Sequence, residues 1–256
     1  VAQKVLGLGI GPFTAMNLTG GTPLTRVGLA NYTGKIMPWY EAPESMNRTN
    51  PWPAAARGET VDVPAETFEK VAAQLQGAFF GIVAEVLESG ITNVSDLDMA
   101  VEIGLVMKAP FRMMNKVGVA GARKLVEGYA AENPGFKIAA CLERSEPWLI
   151  RTLHRRDHGN VAVVTIRRPR TLNALNRKIY REMIAVFNGI RNDRNISAAV
   201  ITGFGIKAFV SGADIGMLEA VETEEEGAAI SWESQEAMLL IQQLGKPVVA
   251  ALNGLA

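Results

Sequence analysis

The amino-acid sequence predicts a multidomain chain, an all-α region over roughly the first 150 residues followed by an α/β layer. Three observations carry that expectation. A long helical periodicity runs from Glu66 to Ser89, a Pro-Phe motif at Pro12 recurs at Pro110, and β-branched runs alternate with helices after Asn160. Of the 256 residues, 48% are hydrophobic and 20% charged, which is enough apolar side chain for folded cores and too much for a disordered chain. Lys plus Arg and Asp plus Glu number 26 each, so no overall field favours nucleic acid, and no nucleic-acid partner is expected. One cysteine, Cys141, leaves no internal disulfide framework and fits a cytoplasmic location. No apolar run comes near the ~20 residues that cross a bilayer, so no membrane span is expected. The chain opens on Val1 and stops directly after a strand-like run, which reads as a piece of something longer.

In the helical region, Phe68, Val71, Ala72, Leu75, Phe79, Ile82, Val83 and Val86 share one face of a helix from about Glu66 to Ser89. Pro64 before it and Gly90 after it match helix start and stop, and Gly77 and Gly81, one turn apart, allow another helix to approach. Ser95 reads as an N-cap with Asp98 three positions on, opening a short helix through Leu97, Ala100, Val101 and Leu105. Another helix starts after Pro110, with a bend near Gly118 and Gly121. The motif Pro12-Phe13-x-x-Met16-Asn17-x-x-Gly20 recurs as Pro110-Phe111-x-x-Met114-Asn115-x-x-Gly118, each preceded by Gly-Leu, which predicts a duplicated helical module. Residues 41–64, rich in Pro, Asn, Ala and Trp, read as a loop or extended connector.

From Asn160 the pattern changes. Val161 to Ile166, Ala198 to Gly203 and Pro247 to Leu252 read as short strands, with helices from about Asn173 to Gly189 and Glu224 to Gln243 between them. The boundary falls in the charged stretch Arg151 to His158.

Two glycine-rich stretches invite a chemical reading. Gly7-Leu8-Gly9-Ile10-Gly11 lacks the third glycine, the preceding strand and the downstream acid of a dinucleotide loop, and reads as a helix-to-helix turn. Lys207-Ala208-Phe209-Val210-Ser211-Gly212-Ala213-Asp214-Ile215 follows a strand and opens a helix, so its small residues can present backbone N–H groups to a developing oxyanion. Asp214 reads equally well as a helix N-cap.

Val163 to Pro169 with Leu172-Asn173-Ala174-Leu175, then Ala208 to Asp214, then Lys246 to Gly254, in that order, resemble the amino-terminal half of the crotonase (enoyl-CoA hydratase) family over about residues 158–256. Ser95 to Leu105 leading to Ala109 through Gly118 is similar to the carboxy-terminal helical domain of 3-hydroxyacyl-CoA dehydrogenases. The resemblance implies a first, partial dehydrogenase-like module with its connector at 1–62, a second at 63–150, and a truncated α/β crotonase-like (ββα superhelix) domain at 158–256. It also implies a fatty acyl-CoA β-oxidation enzyme that oxidises 3-hydroxyacyl-CoA with NAD and hydrates 2-enoyl-CoA. Acyl-CoA thioesters would be the substrates, a homo-oligomer the assembly, and no metal would be required.

Carried over residue by residue, the resemblance makes the Ala213 backbone N–H one of two donors to the thioester oxygen. Arg170, Thr171 and Leu172 fall on the CoA-contacting stretch, and Ala208, Ser211 and Asp214 on the stretch near adenine and the pantetheine arm. Arg151, Arg155, Arg156, Arg167, Arg168, Arg170, Arg177, Lys178 and Arg181 face only Asp157 as an acid between residues 151 and 181, a basic run that could help hold CoA phosphates. The family's second donor glycine and its two catalytic glutamates would lie past Ala256, and the dehydrogenase nucleotide-binding domain would precede Val1. The helical domain's family asparagine has no match, its place falling near Ala73 and Gln74. On this reading the 256 residues alone catalyse neither step. His154 and His158 match no catalytic motif and read as interdomain surface groups. The alternatives are another crotonase-type chemistry, isomerase or decarboxylase, and a non-catalytic helical scaffold.

Overall fold

A computed structural model of the chain describes residues 1–33, 42–48, 50–55, 59 and 61–256. They form two compact units, Val1–Ile150 and Arg151–Ala256. Of the connector expected over 41–64, positions 41, 49, 56–58 and 60 lie outside the described residues.

The first unit contains α1 (Ala2–Leu6), α2 (Pro12–Leu18), α3 (Gly21–Ala30), α4 (Ser45–Arg48), α5 (Ala65–Glu88), α6 (Val94–Gly104), α7 (Pro110–Val117) and α8 (Val119–Glu132), with no strand among its described residues. Helix α5 follows from a run of good helix formers with Glu66 in its first turn and Gly90, at φ 74°, just past its end. It packs along α8, and the glycine stripe makes that approach possible. A methyl group at Gly77 would run into the Leu125 carbonyl and, at 2.8 Å, the Tyr129 Cβ; one at Gly81 would meet the Phe136 ring. Gly118, at φ 88°, separates α7 from α8 as expected, whereas Gly121 sits inside α8, which runs unbroken from Val119 to Glu132. Phe80, Phe111, Met114 and Val126 are fully buried in the resulting core, each contributing about 1.5–3 kcal/mol relative to exposure.

Two expectations are corrected here. By length and composition α5 is sufficient to cross a bilayer, contrary to the reading that no segment comes close; in this unit it packs along α8 and contributes Phe80, Val83 and Ala84 to the core. The cap of α6 is Asn93 rather than Ser95. The Asn93 carboxamide accepts from Asp96 N–H at 3.0 Å and donates to the Asp96 carboxylate at 2.7 Å, so the capping pair lies two residues earlier than the Ser95–Asp98 spacing suggests. Asp98 instead reaches across to the start of α7, accepting from Phe111 N–H at 2.7 Å. Its other oxygen faces the Arg112 guanidinium at 3.3 Å, and burial pushes the carboxyl above its usual range.

The recurring motif has the same structural use in both copies. Asn115 donates to the Trp148 carbonyl at 2.9 Å and accepts from the Trp148 N–H at 2.8 Å, while Phe111 packs against the Trp148 ring at 4.9 Å. Asn17 makes the matching pair with Trp52 at 2.8 and 2.9 Å, and Phe13 stacks on Trp52 at 4.6 Å. In each case the tryptophan follows a proline. The difference is burial: Phe111 is 0% and Trp148 4% exposed, but Phe13 is 50% exposed.

The second unit holds one sheet in the order β1 (Leu153–His158), β2 (Val161–Ile166), β3 (Ala198–Gly203) and β4 (Val248–Ala251), with β1 antiparallel to β2 and the rest parallel. Helices α9 (Arg177–Asn192), α10 (Ile215–Glu219) and α11 (Glu224–Gln242) connect the strands. Strand β1 is the charged stretch that reads as a boundary. Its sequence, Leu-His-Arg-Arg-Asp-His, carries one buried apolar residue, so alternation is invisible, but a two-residue Gly159-Asn160 turn pairs it with β2. Glu182 of α9 anchors its start, accepting from Thr152 N–H and Leu153 N–H, both at 2.7 Å. Ala162, Val164 and Ile166 of β2 bury one face in a core with Ile179, Met183, Phe187 and Ile190 of α9. Helix α9 starts at Arg177, not Asn173, because Asn176 caps it through Ile179 N–H at 3.1 Å.

Arg177 and Arg181 of α9 both bind Glu233 of α11, at 2.6 and 3.0 Å. Arg177 first, then Arg181, holds the Glu233 carboxyl at about 2 against an ordinary 4.5. A depressed carboxyl stabilises the fold above its unfolded value and loses that contribution as pH falls through its folded one. The urea midpoint of the chain is therefore expected to fall between about pH 4.5 and pH 2, and Glu233→Gln is expected to reduce the slope. Asn115→Ala removes both hydrogen bonds to buried Trp148 and is expected to cost about 2 kcal/mol in urea unfolding followed by circular dichroism, with Asn17→Ala costing less than half of that at its more exposed copy.

Candidate functional site

The candidate site is built on two loops of the second unit, residues 168–176 after β2 and 204–214 after β3. A short 3-10 turn at Pro169–Thr171 begins the first loop, and Leu172 and Asn173 then take left-handed backbone angles, φ 50° and 58°. Asn173 tolerates this region better than most residues, and its side chain is bonded at every turn. Its oxygen accepts from Arg168 N–H at 3.0 Å, and its amide donates to the Phe204 and Ala208 carbonyls at 3.1 and 2.8 Å. It is 1% exposed.

Asn253, just past β4, holds the second loop from its other side. Its oxygen accepts from Gly203 N–H at 3.0 Å, and its amide donates to Gly205 and Ala208 carbonyls at 2.6 and 3.2 Å. Residues 207–209 are also bonded to Leu255, which donates to the Lys207 carbonyl at 3.0 Å and accepts from Phe209 N–H at 2.7 Å. The approach is so close that a Cβ on Gly203 would stand 2.6 Å from the Ala208 oxygen, and one on Gly254 2.7 Å from the Ala208 nitrogen.

Farther along, the two loops meet at a parallel bridge between Leu175 and Ala213. Leu175 N–H donates to the Gly212 carbonyl at 2.9 Å, and Asp214 N–H donates to the Leu175 carbonyl at 2.8 Å. A trans peptide sets its N–H opposite its carbonyl, so with the Gly212 oxygen aimed at Leu175 the Ala213 N–H points away from it. Among the described residues nothing accepts from that N–H. Gly212, at φ 114°, supplies a backbone angle that other residues rarely adopt.

The remaining expected site residues divide by exposure. Thr171, Leu172 and Ser211 come together on the exposed side: Ser211 N–H donates to the Leu172 carbonyl at 3.1 Å and its hydroxyl to the Thr171 carbonyl at 3.3 Å. Arg170 is exposed beside them on the same turn. Ala208, by contrast, is 1% exposed, so its side chain faces the fold and its carbonyl is what both asparagines hold. Asp214 caps α10 through Met217 N–H at 3.4 Å and pairs with Arg168 at 2.7 Å; that guanidinium is the main cause of a carboxyl held below its ordinary range.

Part of the basic run that faces only Asp157 along the sequence is answered from elsewhere in the unit: Arg155 binds Asp193 as well as Asp157, Arg168 binds Asp214, Lys178 lies 3.9 Å from Glu182, and Arg177 and Arg181 bind Glu233. His154 and His158 are exposed on β1. Asn173, Asn253, Gly203 and Gly254 hold the two loops together without a role expected from the sequence; for Asn253, Gly203 and Gly254 the available signal was an asparagine or glycine at or just past a strand end, where backbone groups lose their ladder partners.

Residues 156–256 match the family model of enoyl-CoA hydratase/isomerase. The short-chain-enoyl-CoA hydratase of Clostridium acetobutylicum is 44% identical over 98 residues, 38% of this chain and 37% of that protein. The fatty acid oxidation complex subunit alpha of Shewanella loihica is 38% identical over 104 residues, 40% of this chain and 15% of that protein. Among solved structures, the enoyl-CoA hydratase from Bacillus anthracis is 27% identical with a TM-score of 0.39, over 41% of this chain and 40% of that one. The chain thus spans 15% to 37% of the length of the two curated relatives.

The NAD implied by the resemblance belongs to a nucleotide-binding domain expected before Val1, not to Gly7–Gly11, which joins two helices as expected: Gly7 ends α1 at φ 77° and Gly11 caps α2. Asn173→Ala would leave the Arg168 N–H and the Phe204 carbonyl without this partner, and is expected to destabilise the second unit by about 2–4 kcal/mol in urea unfolding.

Proposed function

We propose that residues 151–256 form the thioester-binding side of an acyl-CoA site, with the Ala213 N–H holding the thioester oxygen. The observation that carries this reading is the Gly212–Ala213 peptide, whose carbonyl is fixed by Leu175 and whose N–H is bonded to nothing among the described residues. Adding water to a 2-enoyl thioester moves negative charge onto that oxygen, and a donor already in place there requires no reorganisation as the charge develops. Loss of one such donor costs about 10²–10³ in kcat where it has been measured. Arg170, Thr171, Leu172 and Ser211 lie together on the exposed side and supply the CoA contacts in this proposal. Asp214 is a poor base in this arrangement, since Arg168 keeps it ionised and occupied.

The whole protein, on this reading, is a fatty acyl-CoA β-oxidation enzyme acting on 2-enoyl-CoA, cytoplasmic, with the helical unit belonging to a 3-hydroxyacyl-CoA dehydrogenase part. The family domain at 156–256 and the similarity to a fatty acid oxidation complex subunit alpha support it. Isothermal titration calorimetry of the 256-residue chain with CoA and acetyl-CoA tests the site: both are expected to bind, and Arg170→Gln is expected to weaken both by a few-fold, about the effect of one exposed ionic contact. Absence of binding at millimolar ligand would overturn the proposal in favour of a non-catalytic scaffold.

A further inference from the structure

A backbone donor with no partner among the described residues is only as well aimed as the peptide that carries it, and a glycine at φ 114° lets that peptide swing. Orientation of the Ala213 N–H rests on the two hydrogen bonds of the Leu175 bridge, at 2.9 and 2.8 Å. One side chain closes both sides of that bridge. The Arg168 guanidinium donates through Nη1 to the carbonyl of Ala174, the residue before Leu175, at 2.7 Å. Through Nη2 it binds the carboxylate of Asp214, the residue after Ala213, also at 2.7 Å. The rigid planar fork fixes the separation of these two points, which a flexible ammonium would do less well.

We infer that Arg168 is the positioning residue of the thioester-oxygen donor, stapling residues 174 and 214 so that the Gly212–Ala213 peptide keeps its N–H outward. This rests on Ala213 being that donor. It also reassigns Arg168 from the basic run read as a phosphate contact, because both terminal nitrogens are committed within the chain.

Paired titrations of the 256-residue chain with acetyl-CoA and with S-ethyl-CoA, a thioether lacking the carbonyl oxygen, separate orientation from general binding. The unsubstituted chain is expected to prefer the thioester by about tenfold, the effect of one good hydrogen bond. Arg168→Gln is expected to bring the ratio to about one, with S-ethyl-CoA affinity unchanged, and Arg168→Lys to keep about a threefold preference through one remaining contact. A parallel loss for both ligands at an unchanged ratio would make Arg168 a phosphate contact and overturn the inference, as would an Arg168→Gln chain that matches the unsubstituted one. A ratio of about one already in the unsubstituted chain would show that Ala213 is not the donor, and the inference would fall with that reading. Should Arg168→Gln fail to fold, Asp214→Asn decides: collapse of the ratio supports the staple, and retention overturns it.

Discussion

The Ala208 carbonyl accepts from two asparagine side chains at once, Asn173 at 2.8 Å and Asn253 at 3.2 Å, and the arrangement of the second unit depends on that shared acceptor. Asn173 follows β2 and Asn253 follows β4, so one oxygen ties together chain segments that leave two different strands. The loop between β3 and α10 is drawn so close to the ends of the sheet that positions 203 and 254 have no space for a side chain. Beyond Ala208 the same loop runs beside Leu175, and the direction of the Ala213 N–H follows from where the asparagines hold its start. An unpaired polar group in such a place would cost about 1–3 kcal/mol, so the network holds together as a whole or not at all.

The first unit rests on a different device, used twice. A short helix opened by Pro-Phe places an asparagine one turn later, and its carboxamide takes the N–H and carbonyl of a distant tryptophan in place of a strand partner. The copy around Asn115 is enclosed by the core built on α5, with Phe111 and Trp148 buried. The copy around Asn17 has the same hydrogen bonds and the same ring contact but leaves Phe13 half exposed. The local geometry is therefore a property of the motif itself, and burial is added by whatever packs on it.

Much of this was legible beforehand. Strands β2 and β3 begin and end at the residues their β-branched runs mark, and α5 and α11 fall within a residue or two of their periodic stretches, because burial of one face writes itself into sequence as a period; the stretch from Phe111 to Val126 is instead two helices, α7 and α8, parted at Gly118. Strand β1 was hidden because its outward side chains are Arg, His and Asp and its pairing with β2 supplies what its composition does not. The start of α9 was misplaced because Asn173 reads as a helical position yet spends its side chain on three backbone groups. Of the site, the loop around Ala213 was visible as small residues between a strand and a helix. The partners that aim it were not, since Leu175 acts through its backbone and Arg168 had a plausible role among other arginines.

Sequence alone determined the order of α5, β2, α9, β3, α11 and β4, the duplicated motif and the loop in which a backbone donor is presented, all of which are local patterns of size, charge and period. Only the tertiary structure decided which way that donor points, which arginines are already matched by Asp193, Asp214 and Glu233, and which asparagines hold the sheet ends. Those are contacts between residues tens of positions apart, and a hydrogen bond or an ion pair across such a separation leaves no period in the chain that forms it.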